Sequence, residues 1–153
     1  MTWYELFKWI HVTSITIWVG GAAAIQLFVL RMLRERDGVR LAGFTRDIEV
    51  IGRTVFAPTS GIALLSGVGL VLNGSWDWSE PFISLGLLAL LASAGVGSGF
   101  LGPESGRISA IVERDGPDSA EAVRRRGRIL LISRIELAIL LVVIFLMVVK
   151  PGT

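Results

Sequence analysis

Three ionisable residues, His11, Arg134 and Glu136, lie inside long apolar stretches of this chain, and His11 and Glu136 are the places to look for chemistry. Polar and ionisable side chains are costly in lipid, so each one found there is a candidate site. His11 is the only histidine. Ser14, Trp18, Ala22 and Gln26 follow it at helical spacing, and the five positions share an arc of roughly 120° on a helix. A neutral imidazole offers one donor and one acceptor and is a common ligand for metals and for haem iron. Three readings stay open for it: a structural histidine bonded to a hydroxyl or carbonyl, a haem or metal ligand formed with Ser14 and Trp18 alongside, and a proton carrier. Glu136 has Arg134 two residues before it, which on a helix faces another side, so the two do not form a direct bridge. Gln26, Thr59 and Ser60 fall at a similar depth. These residues, with Arg134 and Glu136, form an expected inner polar cluster, either structural glue between helices or a proton or ligand site.

Composition removes several alternatives. With no cysteine there are no disulfides, thiolate metal sites or Fe–S clusters, and one histidine makes a tetrahedral zinc site implausible. There is no P-loop, no G-x-S-x-G elbow and no pair of carboxylates in a cleft.

The elements that must position these residues are four apolar runs, at about 9–30, 54–73, 82–101 and 129–149. Each is about 20 residues, enough to cross roughly 30 Å of hydrocarbon at 1.5 Å per residue. Mean hydropathy is +0.66 and 52% of the 153 residues are hydrophobic. Four spans use more than half of the chain and leave no room for a separate soluble domain. The first run lacks a basic start and a small-residue cleavage site, and so reads as a permanent span rather than a signal peptide.

Charge sets the direction. The segment 31–53 carries Arg31, Arg34, Arg36, Arg40, Arg46 and Arg53, and 102–128 carries Arg107, Arg114, Arg124, Arg125, Arg126 and Arg128. The loop from Gly74 to Pro81 has neither Lys nor Arg. Short loops rich in these residues stay in the cytoplasm, which places both arginine segments inside and both termini outside. Trp3, Tyr4, Trp9, Trp76 and Trp78 then form an outer aromatic belt. This also explains the high pI, so nucleic acid is not the implied partner. The arginines either enforce topology alone or also meet anionic lipid headgroups. With Arg31 at the inner boundary, His11 lies about 30 Å away near the outer face, while Glu136 lies about 12 Å deeper than Arg128.

The local pattern predicts a first helix running to a turn at Asp37-Gly38, an amphipathic surface helix over 39–53, and a kink at Pro58. Span three is expected to stop at Gly102-Pro103, with a short helix over 104–115 closed by Asp115-Gly116-Pro117. Asp118 or Ser119 should cap the last helix. Small residues at Thr16, Gly20 and Ala24, at Gly61, Gly67 and Gly69, and at Ala89, Ser93, Gly95, Gly97 and Gly99 should let helices approach closely, within the chain or across a homodimer.

Lys8-Trp9-Ile10-His11, six residues, then Trp18-Val19-Gly20-Gly21 form a K-x-x-H-x6-W-x-G-G pattern. Together with Pro58 and Ser66-Gly67-Val68-Gly69-Leu70 it resembles a group of small bacterial membrane proteins. That group includes CopD-like copper-resistance domains and HemJ-type protoporphyrinogen IX oxidases. Over nearly the whole chain it is most similar to an uncharacterised set of four-helix integral membrane proteins. The resemblance implies haem b at His11. It also implies a lysine in a later span, but Lys8 and Lys150 are the only two in the chain. The expectation is thus an all-α, integral membrane four-helix bundle with both ends outside, forming one domain over 1–153 in a bacterial cytoplasmic membrane. Its activity is either haem- or metal-associated through His11, or that of a non-enzymatic accessory protein with a homodimer or membrane subunit as partner.

Overall fold

The computed structural model describes residues 1–35 and 38–150. Asp37 of the expected first turn lies outside them. All regular structure among the described residues is helical. Helix α1 covers Trp3–Glu35, α2 Gly38–Ile51, α3 Ala57–Asn73, α4 Pro81–Val96, α5 Gly102–Asp115 and α6 Ala120–Val149. Four continuous helical stretches, Trp3–Arg34, Gly43–Asn73, Pro81–Asp115 and Ala120–Val149, are long and apolar enough to cross a membrane.

Two of these stretches carry a π-helical turn, Gly52–Phe56 between α2 and α3 and Gly97–Leu101 between α4 and α5. In each, a backbone N–H bonds five residues back, Ala57 to Gly52 and Gly102 to Gly97. Each turn ends two residues before a proline, Pro58 or Pro103. A proline has no N–H to give the preceding turn and its ring presses on that turn's carbonyl, so the widened register accommodates it without ending the helix. The irregularity expected at Pro58 is therefore a π-turn just before it. The expected stop at Gly102-Pro103 is corrected, since the helix passes through to Asp115. There Gly116, at φ 86°, terminates it in a conformation that side chains resist. Ser119 caps α6, its Oγ accepting from Ala122 N at 3.4 Å.

The helices form a lipid-spanning bundle and a cap. In the bundle α1 packs mainly on α3 and α4 on α6; the halves meet where α1 touches α6 and α3 touches α4. Trp18, Val19 and Leu140 make the buried centre, with Ile15, Phe56 and Leu90 against them. Many large apolar residues, Leu65, Leu88 and Phe145 among them, are exposed, as suits a chain whose solvent is lipid. In the cap, α2 lies on α5 and α5 on the start of α6, around Ile108, Ile111, Val112 and Ala122.

The expected small-residue contacts divide in two. Gly67 faces the His11 ring and Gly69 faces Phe7, each a close helix–helix approach, and Gly21, outside the expected set, faces Phe56. Gly20, Gly61, Gly95, Gly97 and Gly99 have nothing within 4 Å of an added Cβ. At the end away from the cap, Trp76 Nε1 donates to Tyr4 Oη at 3.3 Å, and the Lys150 ammonium lies 3.9 Å from the centre of the Trp76 ring. Trp3, Trp9 and Trp78 are exposed at the same end.

Candidate functional site

The expected stripe on α1 turns inward. Ser14 and Trp18 are each 5% exposed, and His11, Ala22 and Gln26 are half-buried. At 1.5 Å per residue, His11 lies about 10 Å from the Trp18 level toward the tryptophan end, and Gln26 about 12 Å toward the cap. Glu136 lies about 6 Å capward of Leu140, so histidine and carboxylate are about 16 Å apart along the axis. They form two separate sites.

At the first, His11 Nδ1 is 2.8 Å from the Ala63 carbonyl oxygen on α3. A carbonyl can only accept, so Nδ1 carries the hydrogen. Ser66 Oγ lies 3.4 Å from Nδ1 but directs its own hydrogen to Ile62 O at 2.6 Å. In its neutral form the ring then presents its lone pair on Nε2, which no group among the described residues bonds. Gly67 makes this possible, because a Cβ there would lie 3.1 Å from His11 Cε1. An imidazole held through one nitrogen by a carbonyl, with the other free, is the arrangement found at histidine ligands of metals. No group of three or more His, Cys, Asp or Glu side chains converges among the described residues, so a bare transition metal would lack ligands. A macrocycle that brings its own four nitrogens needs only one from the protein, and His11 fits that requirement.

At the second site, three helices meet through polar groups. Ser93 on α4 donates to Glu136 Oε1 on α6 through a short hydrogen bond. Gln26 on α1 donates from Nε2 to Ser133 Oγ at 2.6 Å, and Ser133 directs its own hydrogen to Leu130 O at 3.2 Å. Ser133 and Glu136 are three apart on α6 and so are neighbours on its surface. Among the described residues no cation pairs with Glu136. One hydrogen bond to a charged group is worth about 1.5–3 kcal/mol, less than the several kcal/mol that removing a carboxylate from water costs.

Other members of the expected cluster stand apart. Thr59 is half-buried and bonds Val55 O on its own helix at 2.5 Å. Ser60 is buried but likewise bonds Ala57 O, at 2.9 Å. Arg134 is exposed on the far side of α6. The sequence reading did not single out Ser93 or Ser133 as partners of the cluster. In the sequence Ser93 reads only as a small residue, and Ser133 falls one helical turn before Glu136, the spacing that signals it.

The cap holds a third polar centre that the sequence reading missed. The Glu104 side chain is 5% exposed, accepts from Arg125 Nη1 at 2.8 Å and lies 3.5 Å from Arg107 Nη1. Arg125 also reaches Glu121 at 2.9 Å.

Compared with known proteins, residues 5–151 match the model of a family described as "Predicted integral membrane protein (DUF2269)". No curated protein and no solved structure matches. Nothing in these comparisons supports the likeness to CopD-like domains or HemJ-type oxidases.

Proposed function

We propose, since this chain belongs to the DUF2269 family of predicted integral membrane proteins, that it is a haem-associated membrane protein with His11 as the protein's iron ligand. The observation that carries this reading is the hydrogen on Nδ1, held by the Ala63 carbonyl, which leaves Nε2 as a lone-pair donor. Haem bound there would supply one-electron chemistry. His11 would hold the iron, and the Ala63 carbonyl would fix the ring and raise its basicity. Trp18 and Ser14, buried on the same face of α1, would border the ring on the side of the bundle centre. One histidine per chain gives one imidazole for the iron, so a second would come from another copy. The setting is the bacterial cytoplasmic membrane, with the cap in the cytoplasm and His11 toward the outer face.

A second reading has its own support. His11, Gln26 and Ser93 each bond to another helix, which is what an accessory protein with purely structural polar residues would show. The visible spectrum of protein purified in detergent from haem-replete cells separates the two. A Soret band that His11→Ala abolishes supports haem ligation. A colourless wild-type protein overturns it and leaves the accessory reading.

A further inference from the structure

Glu136 is the only acidic residue in the four apolar runs, and Arg134 is the only basic one between Ile129 and Val149. The helices facing Glu136 bring no titratable group to it. On α4, Pro81–Val96 has none, on α1 none stands between His11 and Arg31, and α3 has none over Ala57–Asn73. The nearest arginines at the cap end are engaged elsewhere: Arg128 lies 5.3 Å from the centre of the Phe100 ring and Arg53 bonds Glu49 at 2.8 Å. Arg31 also has an interaction of its own.

A second, independent observation lies one helical turn away along α6, where Ser133 holds Gln26. Gln26 Oε1 is buried with no donor among the described residues. Nε2 faces Ser133, whose hydrogen goes to Leu130, and Oε1 faces away. Buried acceptors are nearly always satisfied, and one left without a protein donor points to a bound water or ion. The Glu136 carboxylate and the Ser93 hydroxyl that bonds it thus stand within one turn of α6 of the residue that holds the Gln26 amide, and all three offer hard oxygen ligands.

We infer that Glu136, Gln26 and Ser93 form an exchangeable site for one monovalent cation, either a proton or Na⁺. The cation cancels the carboxylate's charge, and the amide oxygen accepts from the protonated group, through a water where needed, or coordinates the ion. Ser133 positions the amide. The site lies within the bundle about 16 Å from His11 along the axis, so it does not depend on the haem reading.

A membrane-soluble carbodiimide reacts with protonated carboxyl groups, and mass spectrometry locates the adduct. With the full chain in detergent, the adduct should form on Glu136 and be absent in Glu136→Gln. Suppression by NaCl at fixed pH, with KCl at equal ionic strength as control, identifies Na⁺; suppression only by raising pH identifies the proton. In either case Gln26→Met and Ser93→Ala should each move the midpoint by about tenfold. Thermal melts run in parallel, and a variant that no longer melts cooperatively is set aside for the other. Failure to label Glu136 at any pH without Na⁺ would overturn the inference. So would labelling insensitive to pH and Na⁺, or midpoints unmoved in the folded variants.

Discussion

Glu104 in the cap and Glu136 in the bundle are the same residue in opposite circumstances. Glu104 is buried under two arginines, one of which also holds Glu121, and it stands beside a packed apolar cluster. Glu136 has a single hydroxyl and no cation among the described residues. In the cap, water is near enough for long guanidinium chains to reach a carboxylate while keeping part of themselves solvated. In the bundle the surrounding helices carry only apolar and small polar side chains. A carboxylate whose charge is cancelled by its own protein is architecture, whereas one left for a mobile cation to neutralise has the properties of a site.

Substitutions can sharpen this contrast, and the largest effects should fall in the cap. Ile108 is fully buried, and Ile108→Ala should cost about 3 kcal/mol, read from thermal melts in detergent. An unchanged melt would mean that the cap contributes little to stability. Glu104→Ala should cost roughly 2 kcal/mol, because it strands Arg125 and Arg107, although both can turn partly to solvent. Glu136→Gln should change stability by less than about 1 kcal/mol, because it removes a charge that the bundle does not pair. If Glu136→Gln proved more damaging than Glu104→Ala, the contrast would be reversed.

Gly67→Ala tests the other polar contact in the bundle. The new methyl, 3.1 Å from His11 Cε1, should shift the ring and cost about 1 kcal/mol. It should also weaken any Soret band without removing the histidine. The smallest effect belongs to a third carboxylate, Asp77, in the loop at the tryptophan end. The Ser79 hydroxyl and backbone N–H both donate to it, at 2.6 and 2.8 Å, and hold its pKa below the usual aspartate value. A lowered value in the folded state means the turn is supported at neutral pH and loses that support as pH falls through the lowered value. NMR titration should find the Asp77 midpoint below that of a free aspartate and should find it raised in Ser79→Ala.

The family match reaches the membrane class and stops there, so the weight of interpretation falls on individual residues. Much of the frame was legible in the linear chain. The four spans, the caps at Gly116 and Ser119, the helix over α2 and the inward stripe from His11 to Gln26 all follow from local rules, although α2 runs on through a π-turn into α3 as one stretch. Pro58 and Pro103 show the limit of those rules. Each proline announces a disturbed helix, but only its packing environment decides between a stop and a π-turn, and in both places the chain keeps its backbone bonds by widening one turn.

Pairing is where local reading fails. His11 meets Ala63 52 residues away, Glu136 meets Ser93 43 away, and Gln26 meets Ser133 107 away. Hydropathy and length act along one segment at a time, which is why the amino-acid order alone settled that this protein is all-helical and suited to lipid. Which oxygen faces which nitrogen depends on how separate helices rotate and slide against one another, and that is set by the summed packing of all six. The tautomer of His11, the orphaned oxygen of Gln26 and the burial of Glu104 were therefore decided in three dimensions only.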